Sequence, residues 1–202
     1  MKRKHTTPVI FIGIQLLCAV IYMLLAKPLG IQDTFMANLA YYLVLFIIPT
    51  FIFVARFFKV NPLSYLGFTQ NATKGFLIGL AVACFITLVF FITHKFTIDF
   101  AFTLQNISLL IGVSLAGILE EIPFRGFYLD VFTKRMGFIK ANLLTSALFS
   151  ILHFNKLLTE GPLQLLILLV FSLWLGYIKK ETKSLWSPIV VHIMFNVLTV
   201  IF

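Results

Sequence analysis

An apolar segment with two adjacent acids in its second half reads NISLLIGVSLAGILEEIPFRGFYL at residues 106–129. It is longer than the roughly 20 residues that an α-helix needs to cross a hydrocarbon core about 30 Å thick. An ionised side chain at the centre of such a helix costs about 3 kcal/mol on insertion scales, so acids in membrane helices are usually paired or functional. The segment therefore predicts a transmembrane helix in which Glu120 and Glu121 are shielded from lipid.

The composition of the whole chain indicates a membrane protein. Hydrophobic residues make up 60% of the 202 residues and charged residues only 11%, which lies outside the range of soluble domains. The net charge of +9 does not indicate nucleic-acid binding, because the basic residues are scattered in short loops and form no extended patch. We therefore expect an all-α, polytopic transmembrane helix bundle whose main surroundings are the lipid bilayer.

Seven apolar runs are candidates for membrane spans. Around them, twelve Lys or Arg residues lie in segments on the side of the N-terminus, whereas Lys27, Lys95 and Lys156 lie on the other side and Arg125 belongs to the EExxxR segment and is not counted. Because cytoplasmic loops are enriched in Lys and Arg, the N-terminus is predicted to be cytoplasmic and the C-terminus external. The runs lie at residues 8–26, 37–55, 75–93, 106–129, 139–155, 162–178 and 185–202.

Polar residues divide the chain into two predicted parts. Residues 1–104 carry few polar side chains in their spans and are predicted to be scaffold, with Gly75 and Gly79 as a packing signal for a close neighbouring helix. Residues 105–202 contain three rows at helical spacing, which predict a shared interior pocket because polar faces are unstable against lipid. The rows are Ser108, Gly112, Ala116 and Glu120; Asn142, Ser146, Phe149 and His153; and Pro188, His192, Asn196 and Thr199.

The two adjacent acids are expected to have different roles. Neighbouring helical residues point about 100° apart, and Glu121 has Arg125 four residues later, in the favourable order for an ion pair. That pairing leaves Glu120 to exchange a proton, which suits a group that takes a proton from water and returns it to a leaving amine. Pro123 has no N–H and predicts a kink or helix irregularity beside the acids.

Two histidines and an asparagine complete the candidate site. His153 is of a type that orients water or binds a metal, and His192 and Asn196, one turn apart, carry N–H groups that could converge on a developing oxyanion. No HExxH motif is present, so a divalent metal such as Zn²⁺ would need the assembled ligands Glu120, His153 and His192. The structural alternatives are a buried ion network and histidines that hydrogen-bond between helices.

Three motifs occur in order on separate apolar runs: EExxxR at 120–125, FxxxH at 149–153 and HxxxN at 192–196. On these motifs the chain resembles the CPBP intramembrane proteases, also called CAAX protease and bacteriocin-processing, or Abi, proteins. The resemblance covers roughly residues 105–200.

That resemblance implies endopeptidase activity inside the membrane, with Glu120 and His153 activating water and His192 and Asn196 supporting the oxyanion. It also implies a membrane-associated or lipidated peptide substrate and, in a bacterial plasma membrane, bacteriocin maturation or self-immunity. The family is commonly classed as metallopeptidases, and a metal-free glutamate mechanism has also been argued for it.

Two other functions are compatible with the residues. One is a non-catalytic immunity or binding protein that sequesters a peptide in the same cavity. The other is a proton-coupled carrier, because buried Glu and His residues also form proton relays. The chain shows no internal repeat or pair of interrupted helices of the kind that transporters often have, which makes the carrier the weaker alternative.

Overall fold

A computed structural model describes residues 2–26, 29–30, 35–95, 97–98, 100–154 and 159–202. These residues form α-helices and contain no β-strand, which confirms the predicted all-α class. Three π-helical segments, Leu43–Ile47, Val54–Phe58 and Ile122–Tyr128, adjoin α-helices without a break. The α-helices are α1 (Lys2–Ala26), α2 (Phe35–Tyr42), α3 (Ile48–Phe53), α4 (Pro62–Leu66), α5 (Ala72–Thr93), α6 (Leu104–Glu121), α7 (Leu129–Met136), α8 (Phe138–Ile151), α9 (Pro162–Thr182) and α10 (Trp186–Ile201).

Five helical segments among the described residues are long and apolar enough to cross a membrane, which agrees with a polytopic bundle. The predicted runs 139–155 and 185–202 correspond to α8 and α10, which have only 14 and 16 residues. At about 1.5 Å per residue they extend about 21 and 24 Å, less than a full hydrocarbon core. Lys27 and Lys156, two of the predicted outer-loop cations, lie outside the described residues. The five long segments are Thr6–Ala26, Met36–Phe58, Ala72–Thr93, Leu104–Met136 and Pro162–Thr182.

The chain forms two compact units. The first consists of Met1–Val60 and Phe127–Trp174, and the second of Asn61–Gly126 and Leu175–Phe202. The division at residue 104 into scaffold and catalytic core concerns function, and it stays a prediction.

A buried glutamine organises the polar contacts of the first unit. The Gln15 side-chain amide donates to the carbonyl of Leu45 at 2.9 Å and to the Thr50 hydroxyl at 3.2 Å. The Tyr128 hydroxyl donates to Gln15 Oε1 at 3.2 Å. Since Leu45 lies in the first π-helical segment, these bonds satisfy polar groups that would otherwise be buried without partners.

Small residues bring α10 close to its neighbours in the second unit. A Cβ atom at Gly79 of α5 would lie 2.9 Å from the carbonyl oxygen of Ser187, and one at Gly75 would collide with the Ser184 side chain. Such contacts allow backbones to approach without intervening side chains. The close approach predicted from Gly75 and Gly79 is therefore confirmed.

Candidate active site

The acid pair lies at the C-terminal end of α6 and is buried. Glu120 is 5% exposed, and Glu121 and Arg125 are 0% and 2% exposed. The helix begins after Thr103, whose hydroxyl accepts a hydrogen bond from the Asn106 N–H at 3.2 Å, a normal N-cap. The acids therefore belong to a well-defined helix and lie far from its exposed start.

The helix changes from α to π geometry directly after the acids. The π-helix runs from Ile122 to Tyr128 and contains Pro123, so the irregularity predicted from that proline is present. All residues from Glu120 to Leu129 are buried. Segments of this kind often occur at functional sites, because the extra residue per turn redirects the side chains that follow.

Arg125 and Glu121 form the predicted ion pair. Arg125 Nη1 donates to Glu121 Oε1 at 2.7 Å, a distance typical of a charge-assisted hydrogen bond. The other carboxylate oxygen, Glu121 Oε2, is buried and has no hydrogen-bond partner among the described residues. Glu121 thus uses Oε1 for the ion pair with Arg125, while Oε2 is buried and makes no hydrogen bond to the described residues.

His192 of α10 contacts both acids. Its Nδ1 lies 2.7 Å from Glu121 Oε1, and its Nε2 lies 3.8 Å from Glu120 Oε2. An ionised carboxylate only accepts hydrogen bonds, so Nδ1 carries a hydrogen and donates it to Glu121. A carboxylate that holds one ring nitrogen fixes the orientation of the other, and here Nε2 faces Glu120.

The backbone contact that brings His192 to the acids is made at Gly117. A Cβ atom at this position would lie 3.0 Å from the backbone nitrogen of Ile193, the residue after His192. Gly117 lies about one turn before Glu120 and Glu121. Without a side chain there, α10 reaches α6 closely enough for an imidazole to bond directly to a glutamate.

Asn196 anchors the next turn of α10. Its Nδ2 donates to the carbonyl of Val113 on α6 at 3.1 Å. His192 and Asn196 therefore both bind α6, and one amide N–H of Asn196 is engaged with the backbone. Their joint support of an oxyanion stays a prediction.

His153 belongs to the first unit, where it lies in the turn that follows α8. Its Nδ1 lies 2.8 Å from the Phe149 carbonyl, and the two rings pack with centroids 4.6 Å apart. Because a carbonyl only accepts, Nδ1 carries the hydrogen. This leaves Nε2, in the neutral ring, with the lone pair that a base or metal ligand needs. The sharing of a water molecule by His153 and Glu120 stays a prediction.

Within the described part of the second unit, the donor groups do not complete a metal site of the usual kind. Among the described residues, no three His, Cys, Asp or Glu side chains are grouped so that they could hold a metal ion, whereas catalytic zinc sites use about three protein ligands. Glu120 and His192 supply two suitable donor atoms, and His153, the third predicted ligand, lies in the first unit.

Sequence spacing did not predict the bond between His192 and Glu121. The two residues are 71 positions apart, and a helical row indicates a face without indicating which residue it meets. Gly117 was the available signal, because a glycine one turn from two acids indicates where a neighbouring backbone can approach most closely.

The site is a buried cluster of two acids, an arginine and a histidine on apolar helices. It places the protein among integral membrane proteins that enclose a polar site between helices. Residues 101–198 match the family model described as type II CAAX prenyl endopeptidase Rce1-like. The three motifs all lie within that range, and together with this match and the relative described next they support a place for the C-terminal half of the chain in the CPBP family.

One relative is the protein named "Putative membrane peptidase YdiL" of Bacillus subtilis. The chain is 31% identical to it over 100 residues, which cover 48% of this chain and 38% of that relative. The match thus spans well under half of the relative's length. No solved structure matches the chain.

Proposed function

We propose that the protein is an intramembrane endopeptidase that hydrolyses a peptide bond of a membrane-associated or lipidated peptide. The observation that carries the proposal is the buried pair of Glu120 Oε2 and His192 Nε2, 3.8 Å apart, with His192 oriented by Glu121 and Arg125. This separation is too long for a direct hydrogen bond but short enough for one water molecule to bridge. The family match supports the same activity.

Charge balance supports an acid–base role for this pair. The two carboxylates and the guanidinium leave one excess negative charge in a buried group, which is unfavourable unless it is neutralised. We propose that Glu120 and His192 share one proton, which balances this charge. With that proton on His192, the ionised Glu120 can act as a base, and His192 can donate from Nε2 to a developing oxyanion.

The proposed reaction uses these groups in sequence. Glu120 takes a proton from water while the water oxygen bonds to the carbonyl carbon of the substrate, and the resulting oxyanion accepts a hydrogen bond from His192. When the C–N bond breaks, Glu120 returns the proton to the leaving amine, which yields a carboxylic acid and an amine, and the acid then loses its proton to water. His153 is the second group that the family resemblance assigns to the water, and we propose it as a further base or orienting residue.

The test compares membrane-peptide termini by mass spectrometry in cells that express wild type, Glu120→Gln or Glu181→Gln at equal levels. Glu181 is about half exposed, at 54%, so it provides the same chemical change away from the site. New termini with wild type and Glu181→Gln but not with Glu120→Gln are expected, and their sequences would identify the substrate class. Identical termini in all three strains would contradict the proposal.

The same strains distinguish maturation from immunity. Protection against a peptide toxin that is lost in Glu120→Gln would assign the proteolysis to self-immunity. Protection that persists in this variant would favour a non-catalytic binding protein, since binding of the toxin would then not need the acid. A processed bacteriocin found only with active protein would indicate maturation.

A further inference from the structure

Hydroxyl groups in the apolar helices of this protein usually bond to their own backbone. The hydroxyls of four such residues each donate to the carbonyl four positions earlier, at 2.7–2.9 Å. This is the ordinary way for a hydroxyl to avoid being unpaired in a membrane helix. The four are Thr87, Ser114, Thr145 and Thr182.

Two serines of α8 differ from this pattern. Ser146 and Ser150 are 1% and 6% exposed, and neither Oγ has a hydrogen-bond partner among the described residues. The Asn142 carbonyl, which Ser146 would use for a backbone bond, already accepts from the Thr145 hydroxyl at 3.2 Å. Two unpaired hydroxyls on one helix are unfavourable unless a further partner binds there.

The two serines share a face of α8 that leads towards His153. Ser150 follows Ser146 by four residues, about one helical turn, and the backbone N–H of His153 donates to the Ser150 carbonyl at 3.0 Å. Other residues of α8, Leu143 and Ile151, are apolar and 54% and 60% exposed. The unpaired hydroxyls thus belong to the buried side of α8, and the nearer serine is bonded through its carbonyl to the backbone of a candidate catalytic histidine.

We propose that Ser146 and Ser150 bind ordered water molecules and form a hydrated row that supplies water to His153. Water fits better than a peptide segment because the serines expose almost no surface, and one water molecule can both donate to and accept from a hydroxyl. The proposal rests on the proposed function in one respect: hydrolysis in the bilayer consumes a reactant that the hydrocarbon core does not provide.

Hydration itself can be measured without proteolysis. In a background with Cys18 and Cys84 replaced by Ala, a single thiol is introduced as Ser150→Cys or Ser146→Cys, with Ile151→Cys and Leu143→Cys as controls. Ile151 is adjacent to Ser150, so this pair differs mainly in the direction of the side chain. The infrared S–H band is followed after transfer of the reconstituted protein to D₂O.

We expect the thiols at 146 and 150 to exchange to S–D at least tenfold faster than those at 143 and 151, and to show a hydrogen-bonded S–H frequency. Exchange no faster than in the controls would overturn the hydrated row. Because the measurement needs no substrate, an absence of proteolysis would refute the proposed function without affecting this result.

A second measurement tests the role in supply. In the Ser146→Ala/Ser150→Ala variant, we expect kcat to fall at least fivefold with KM unchanged, because the row delivers the second reactant and does not bind peptide. An unchanged kcat in a folded double variant would overturn the supply role. Ser184→Ala, which removes a buried hydroxyl of the second unit, controls for a general effect of losing a serine.

Discussion

At the scale of single residues, Glu121 accepts hydrogen bonds from two side chains of different origin. Arg125 follows it on the same helical segment, whereas His192 comes from α10. One carboxylate oxygen serves both donors, each at 2.7 Å. We infer that Glu121 is a positioning residue whose loss would release the ring of His192 and also leave the charge of Arg125 buried without its partner.

This inference predicts strong coupling between Glu121 and Arg125. Glu121→Gln or Arg125→Met alone should lower the free energy of unfolding by about 3 kcal/mol, because each leaves one buried charge without its partner. The double variant should lose clearly less than the sum of the two. Unfolding in detergent, arranged as a double-mutant cycle, measures the difference, and additive losses would contradict the inference.

The same residues show what spacing can predict. The i,i+4 relation of Glu121 and Arg125 gave their ion pair, because helical geometry alone brings such side chains together. The partner of His192 depends on how α10 is aligned along α6. The sequence of either helix alone does not show that alignment. The sequence likewise did not predict that the hydroxyls of Ser146 and Ser150 have no hydrogen-bond partner among the described residues. A row of polar residues predicts a buried face but not its hydrogen bonds.

At the scale of elements, we expect the contact of α10 with α6 at Gly117 to determine the position of His192 beside the two acids. Gly117→Ala should force the Ile193 backbone away by a few tenths of an ångström and lower the free energy of unfolding by about 1–3 kcal/mol, as overpacking does. Because the displaced backbone adjoins His192, we expect proteolysis to fall more than stability alone explains. Thermal unfolding and cleavage rate, measured on the same preparation, separate the two effects.

Gly13→Ala is the matched control for this variant. Gly13 lies within α1, and a Cβ atom there would meet nothing within 4 Å, so the substitution should be neutral or slightly stabilising through helix propensity. Equal effects of Gly117→Ala and Gly13→Ala would show that the α6–α10 contact does not determine the position of His192.

At the scale of the whole molecule, the apolar runs predicted the helices well because length and hydropathy are local properties. The predicted run 106–129 proved to be part of a longer helical segment, Leu104–Met136, since an interruption by π geometry does not end a helix. The grouping into two units was not predictable, because it depends on contacts between residues distant in the chain.

The predicted orientation is also a property of the whole molecule and can be tested directly. Lys95 and Lys183 are both exposed and are predicted to lie on opposite sides of the membrane. In the cysteine-free background, Lys95→Cys should react with a membrane-impermeant thiol reagent in intact cells, and Lys183→Cys only after permeabilisation. The reverse pattern would place the N-terminus outside.

From the short lengths of α8 and α10 we expect an effect on the surrounding lipid. Helices of about 21 and 24 Å are several ångströms shorter than an average hydrocarbon core, and such a mismatch is relieved by local compression of the bilayer at a cost of fractions of a kcal/mol per Å. His192 lies in α10 and His153 follows α8 directly, so we expect the lipid to thin beside residues of the proposed site. We therefore expect the proposed proteolysis to depend on acyl-chain length and to be faster in bilayers of shorter-chain lipids than in bilayers of longer-chain lipids.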